Sequence, residues 1–298
     1  MTASLPHIVV CICTYKRPDL LRRLLLNLFT QETAGQFAFS VVVADNDKEE
    51  SAREVVTQCQ LLNPIPIQYC TEARQNIALV RNRALENATG EYVAFIDDDE
   101  FPTVTWLQEL LGTCREPGVA GVLGPVRPHF DEPPPEWIVK GKFCERPEYK
   151  TGTRIPWEES RTGNVLFKRA IIQDVPFAFD EKFGNGGEDK DFFMRMENQG
   201  HVFVWCNEAP VYETVPPDRW SRSYMLRRAL LRGKNILKHP TGKAGLLLRS
   251  LAAIPIYLLG IPIFLACGQH ILMKYCVKLC DHVGRILALL RINPVNER

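Results

Sequence analysis

Short apolar runs alternate with stretches of helical spacing along the first two-thirds of the chain. Ile8–Cys13 is apolar at every position and rich in β-branched residues, the pattern of a parallel strand buried on both faces. Asp19 opens a leucine-rich helix that runs to about Phe29, and Phe39–Ala44 is a second strand. Ser51 with Glu54 three residues later predicts a capping box for the next helix. Pro64 and Pro66 precede a strand over Ile67–Cys70; a helix from Asn76 ends at Gly90, and Tyr92–Ile96 is the fourth strand. This βαβα succession predicts a doubly wound α/β half-domain. Beyond it come a helix near Val104–Arg115, a strand near Val119–Val126, strands over Val165–Phe167 and Val202–Trp205, and a helix over Asp189–Asn198.

Two segments break the pattern. Pro128–Pro156, with Pro133-Pro134-Pro135 and scattered aromatics, reads as a long connection, either a binding loop or a surface excursion. Leu251–Cys267 is apolar throughout its 17 residues, at the lower limit for crossing a bilayer, and contains Pro255, Gly260 and Pro262. His270–Leu290 then spaces Ile271, Tyr275, Leu279, Val283, Ile286 and Leu290 as an amphipathic helix does.

Charge gives this division a direction. The net charge of +1 hides 14 Lys and Arg against 2 Asp and Glu in residues 219–298, and 22 against 33 before them. An acidic body thus joins a basic tail suited to an anionic surface. Arg222, Arg227, Arg228, Arg232, Lys234, Lys238, Lys243 and Arg249 precede the apolar run, and Lys274, Lys278, Arg285, Arg291 and Arg298 follow it. Both flanks therefore favour the cytoplasmic side, so a proline-broken hairpin or a helix pair in the interface is expected, with a core helix or dimer interface as the alternative. Nucleic acid is not expected as a partner, because the basic residues adjoin lipid-like sequence and not base-stacking aromatics. Met1–Pro6 carries no signal-peptide pattern, so the body is expected in the cytosol. The ten cysteines, among them Cys11, Cys13, Cys206, Cys267, Cys276 and Cys280, lack paired zinc spacing and read as reduced thiols.

The chemistry concentrates where strands end. Asp97-Asp98-Asp99 follows directly on Tyr92–Ile96. Three adjacent carboxylates repel one another, and a hard divalent ion relieves that repulsion, although an acidic run is often only a solvated turn. Ligand sites of open α/β sheets lie at strand carboxyl ends. There, too, lie Thr14, Tyr15 and Arg17 after the first strand and Asp45-Asn46-Asp47 after the second, an arrangement able to hold a nucleotide; Asp45 could instead cap a turn. The helix starting at Asn76 directs donors to the same edge, with Arg74 and Arg81 as diphosphate candidates or members of a solvated face. Gly186-Gly187-Glu188-Asp189 brings carboxylates to a helix start, as N-capping or as a site. Gly163, Asn164, Gly187, Asp191 and Trp157 are the candidate acceptor-side residues.

Together, Cys13–Pro18, Asp45-Asn46-Asp47, the Asn76–Asn82 helix, Asp97-Asp98-Asp99 and Gly187-Glu188-Asp189 resemble the inverting family 2 glycosyltransferases of GT-A fold. Val43–Asp47, Leu123–Arg127, Gly186–Asp189 and Val215-Pro216-Pro217 are most similar to the bacterial exopolysaccharide glucosyltransferases of succinoglycan type. The resemblance covers about residues 6–215 and implies an α/β fold with a mostly parallel central sheet over residues 1–218, divided near 127 into nucleotide and acceptor halves; the charge and hydropathy pattern adds a helical membrane-associating region over 219–298. The resemblance implies that Thr14, Tyr15, Arg17, Asp45, Asn76, Arg81, Asp97 and Asp98 bind the nucleotide of a UDP-sugar. Mg²⁺ or Mn²⁺ would be held by Asp99 with Asp97, and Asp189 would be the general base with Glu188 beside it. The acceptor would be a polyprenyl-diphosphate-linked glycan at the cytoplasmic face of a bacterial inner membrane, and the chain could pair with its twin. Where many relatives carry a His before Glu213, this chain has Tyr212. A polyprenyl-phosphate sugar synthase, a sugar nucleotidyltransferase and an inactive sugar-binding scaffold are the rival readings.

Overall fold

Side chains of the first strand, β1 (His7–Thr14), alternate between two separate cores, as a period of two requires. Ile8, Val10 and Ile12 enter one core, Val9 and Cys11 the other, and all five are buried. The computed structural model describes residues 5–173, 175–235, 243–290 and 292; Lys238, Arg291 and Arg298 of the expected basic tail lie outside the described residues.

After β1 come α1 (Pro18–Leu28), β2 (Ala38–Asp45), α2 (Arg53–Leu62), β3 (Ile67–Thr71), α3 (Ile77–Glu86), β4 (Tyr92–Ile96), β5 (Glu100–Pro102), α4 (Trp106–Cys114), β6 (Val119–Leu123) and β7 (Val126–His129). Then follow α5 (Glu136–Gly141), β8 (Asn164–Lys168), α6 (Glu188–Asn198), β9 (Val202–Trp205), β10 (Val211–Thr214), α7 (Arg222–Asn235), α8 (Lys243–Ala266) and α9 (Gln269–Leu289). The main sheet has the order β3-β2-β1-β4-β8-β6-β9, and a small sheet the order β5-β10-β7. In the main sheet only β8 runs antiparallel to its neighbours, so the sheet is mixed and mostly parallel. Helices α1, α2 and α4 cover one face through Leu21, Leu24, Val56 and Leu107, while α3 and α6 cover the other through Ala78, Ala84, Phe192 and Met196.

Several expected details change. The capping box does not form: Ala52 is the N-cap of α2, its N–H donates to Asp45 Oδ2 at 2.9 Å, and Ser51 Oγ is buried without a partner among the described residues. The expected strand over Val119–Val126 divides into β6 and β7 at Gly124-Pro125. A Cβ on Gly124 would lie 2.5 Å from both Ala209 O and Asn164 Nδ2, so the turn needs glycine for close approach. Pro128–Pro156 is not featureless, since it contains α5 and buries Ile138. None of the ten cysteines forms a disulfide.

Contacts divide the chain into Met1–Arg127 with Arg146–Glu213, and Pro128–Glu145 with Thr214–Arg298. The expected boundary at 218 therefore shifts, and 128–145 groups with the C-terminal helices because Ile138, Trp137 and Phe143 pack with Val215, Trp220 and Met225. Within this second unit, α8 continues unbroken through Pro255 and Pro262, and the chain reverses at Gly268, whose φ of 107° a side chain would oppose. The reversal is therefore not made by the prolines. Pairs Ser250–His282 and Phe264–Tyr275 show α8 lying antiparallel along α9. Helix α7 lies against α9 as well, so closely that a Cβ on Gly284 would come 2.2 Å from Leu230 O.

Candidate functional site

Strand register brings the chemistry to one edge. Thr14 lies opposite Asp45 and Asp45 opposite Thr71, while β4 runs beside β1 with Cys11 opposite Phe95 and releases the aspartates at the same level. Antiparallel β8 begins at this edge with Asn164 opposite Ile96, and β6 and β9 end there with Leu123 opposite Trp205.

At the end of β1, Lys16 takes a φ of 54°, the left-handed region that a non-glycine residue seldom enters. This bend returns Arg17 over the triplet, where Nη1 donates to Asp98 Oδ1 at 3.1 Å and Asp99 Oδ2 at 3.2 Å. Thr14 Oγ1 donates to Asp98 Oδ2 at 2.8 Å, so Asp98 is held from two sides. Tyr15, at the same loop, is 39% exposed, with Lys16 Nζ 5.4 Å from its ring centroid. Asp45 is fully buried and accepts from Asp47 N, Ala52 N and the Tyr69 hydroxyl at 2.9–3.0 Å. Its structural work is to shape the 45–52 loop. Asn76 likewise caps α3 by accepting from Ala78 N and Leu79 N, and its Nδ2 donates to Glu181 O, so its amide serves the backbone and not an open ligand surface.

Arg81 is buried at 6% exposure, which overturns the solvated-face alternative for it. Its Nη1 hydrogen-bonds Glu188 Oε1, and its Nη2 lies 3.7 Å from Asp97 Oδ1. One guanidinium thus joins the end of β4 to the start of α6. Gly186 and Gly187, at φ 107° and 100°, make the turn that presents Glu188 and Asp189. Glu188 is 3% exposed with Oε2 unpartnered among the described residues, so burial suits it to positioning. Asp189, half-buried, accepts from Lys190 N at 2.7 Å.

Of the acceptor-side candidates, Gly163 lies beside the acidic cluster: a Cβ there would lie 2.8 Å from Glu100 Oε1 and 3.0 Å from Asp97 Oδ2. Three others need correction. Asn164 is buried and spends its amide on Trp106 Nε1, Pro125 O and Ala209 O, at 2.8–3.0 Å. Asp191 is buried and ion-paired at 2.8 Å to Arg195, which fastens α6 to the 177–178 segment. Trp157 donates its N–H to Glu197 near the far end of α6, about 12 Å along that helix from Asp189.

Sequence reasoning missed Glu100 and Arg146. Glu100 is buried and its Oε2 accepts from Asp97 N at 3.1 Å; it stands opposite Glu213 across β5 and β10. Arg146 pairs with Glu213 and places positive charge near Asp97 and Glu100. The signal for Glu100 was a fourth acid directly after the triplet, whereas nothing local marked Arg146. Tyr212 stacks on Phe101 at 5.5 Å, on the β5–β10 pair.

The sequence pattern described as Glycosyl transferase family 2 matches residues 9–178, more than half of the chain. The chain belongs to glycosyl transferase family 2. It is 37% identical over 233 residues to the succinoglycan biosynthesis protein ExoM of Rhizobium meliloti (strain 1021), covering 76% of this chain and 73% of that protein. The fold of this family 2 glycosyltransferase is GT-A, as its structural neighbours show. The mannosyltransferase PcManGT from Pyrobaculum calidifontis, in complex with GDP-Man and Mn²⁺, superposes with TM-score 0.64 at 18% identity, covering 97% of this chain and 87% of that one. TarS 1-349 of S. aureus, in complex with UDP, gives 0.55 at 20% identity over 74% and 63%.

The donor set of the glycosyltransferase fits a hard divalent cation, being all oxygen, with carboxylates outnumbering the guanidinium groups of Arg17, Arg81 and Arg146 that reach them. Among the described residues no three acidic, His or Cys side chains converge to cage an ion by themselves. Mg²⁺-like binding requires only one or two carboxylates acting with substrate phosphates. Burial raises the Asp98 carboxyl from 3.8 to about 6 against the pull of Arg17 and Thr14, and burial holds Glu100 well above its usual range. A carboxyl raised by folding favours the folded state below its unfolded value and loses that contribution as pH rises through the folded one. In EDTA, stability is therefore expected to fall between about pH 4 and 6, and Asp98→Asn to fall less by roughly 2–3 kcal/mol. Denaturant unfolding across that window checks this; identical pH dependence in both proteins would contradict it.

Proposed function

We propose that this glycosyltransferase moves a hexose, with inversion, from a UDP-sugar to a lipid-linked oligosaccharide during bacterial exopolysaccharide synthesis. The observation that carries the reading is the Arg81 bridge, because it sets the start of α6 beside the triplet. The similarity to a succinoglycan biosynthesis protein supports the pathway class, and the UDP bound by TarS supports the donor class.

Asp97 and Asp99 would hold Mg²⁺ or Mn²⁺, which when bound neutralises charge on the leaving diphosphate. Thr14 and Arg17 fix Asp98 toward the ribose side, and Tyr15 offers its exposed ring to the base. Arg17 now satisfies Asp98 and Asp99, and is 44% exposed, so it can turn to phosphate when the nucleotide arrives. Asp189 takes the proton from the acceptor hydroxyl as that oxygen attacks the anomeric carbon opposite the diphosphate. Glu188, locked to Arg81, holds Asp189 in place.

The second unit supports attachment to the cytoplasmic face of a membrane by lying on it. Gly245–Ala266 is long and apolar enough to cross, with mean hydropathy 1.9 and only 6% of its most apolar window buried. Yet α8 lies along α9, and α9 also carries α7 with exposed Arg222, Arg227, Arg228 and Arg232. A helix laid against that arginine-bearing pair is suited to the plane of the interface. Exposed Leu248, Leu251, Ile256, Leu258, Leu259, Ile263 and Leu265 span about 180° of α8 at 100° per residue, wider than a helix–helix seam.

Asp189→Asn is expected to lower transfer by about 10²–10⁴-fold while UDP binding persists, read by UDP release and calorimetric titration. Transfer at the wild-type rate would remove the base assignment and favour a phosphate acceptor. Leu259→Glu with Ile263→Glu is expected to release the protein from anionic vesicles in sedimentation, and sedimentation unchanged from wild type would contradict the membrane reading.

A further inference from the structure

The sheet order leaves an unassigned hollow at the other half of the site edge. Nucleotide-side loops leave β3, β2, β1 and β4, whereas the hollow opens where β6 and β9 end, at Leu123 and Trp205. It is a shallow depression with about 30 Å³ of cavity proper and is otherwise open to solvent, so a ligand would lie against its wall and not be enclosed by it. Arg161 and Asn164 line it, and between them in sequence lies Gly163, which approaches Asp97 and Glu100. Arg146 forms another wall and reaches Glu213 on the acidic side. The hollow therefore adjoins the triplet.

Its lining has two characters. Tyr149 meets Trp205 edge to face, with centroids 5.3 Å apart and planes at 80°, giving an apolar aromatic surface. Around it stand the guanidinium groups of Arg146 and Arg161 and the carboxylate of Glu159 beside Tyr149. A pyranose matches such a lining, because one of its faces is C–H and its rim both donates and accepts hydrogen bonds. Cations and a carboxylate together favour a neutral sugar over an anionic one.

We propose that this hollow is the subsite for a neutral pyranose of the acceptor, with Tyr149 and Trp205 supplying the apolar wall and Arg161 and Glu159 holding hydroxyls. The proposal rests on the glycosyl-transfer reading for its role, keeps Asn164 as part of the wall, and replaces Asp191 and Trp157 as acceptor contacts. An open depression of this kind can carry one face of a single residue of a longer acceptor.

The test is saturation-transfer NMR on the full chain with methyl β-D-glucopyranoside, methyl β-D-galactopyranoside and methyl β-D-glucuronide, with and without UDP and Mn²⁺. A neutral glycoside is expected to bind wild type, and Arg161→Ala to weaken it by about tenfold or more, the worth of one charge-assisted hydrogen bond. Glu159→Gln, which keeps shape and removes charge, should weaken it less. The proposal is overturned if neither neutral glycoside binds, if Arg161→Ala and Glu159→Gln both leave binding unchanged, or if the glucuronide binds best. UDP titration of the same samples reports the donor side separately: lost UDP binding counts against the donor reading, while the glycoside series still decides the subsite.

Discussion

A buried guanidinium with a carboxylate on either side is the constraint on which the site depends. Arg81 comes from α3, Asp97 from the end of β4 and Glu188 from the start of α6, segments far apart in sequence. Taking such charges out of water costs several kcal/mol per ion before their attraction returns any of it. An apolar trio of similar volume would stabilise the fold as well. What the ionic arrangement contributes is geometry, because the start of α6 must sit where Arg81 can reach both acids, and Asp189 follows from that placement.

The same edge explains why the sheet is mixed. Antiparallel β8 starts at the level where its neighbours β4 and β6 end, so Gly163 arrives beside Asp97 without a crossover. Gly163 is the joint, since a side chain there would crowd Glu100 and Asp97. On the reading proposed above, the nucleotide would occupy one side of this joint and the acceptor the aromatic hollow on the other.

Much of this was legible in residue patterns. Continuous β-branched runs such as Ile8–Cys13 marked strands buried on both faces, and the family motifs marked the edge where they end. Polar residues were harder to read, because a side chain in a polar loop gives no local sign of whether it faces ligand or backbone. Asn164 was read as an acceptor contact, yet its amide ties Trp106, Pro125 and Ala209 together. Ser51 looked like a cap, but Asp45, from the preceding strand, accepts the N-terminal N–H instead. Arg146 was invisible, since its partner Glu213 lies 67 residues away, and only tertiary folding joins them. Prolines 255 and 262 promised a break that α8 does not make, its turn depending on Gly268.

The most direct test of this account compares Arg81→Met with the double variant Arg81→Met, Glu188→Leu, measuring thermal stability and transfer in each. Removing Arg81 leaves Glu188 buried and unpaired, a loss of about 3–5 kcal/mol, and replacing both should recover most of that stability. The account predicts that transfer stays depressed in the refolded double variant, because nothing then fixes Asp189 beside the triplet. Wild-type transfer in the stable double variant would contradict it.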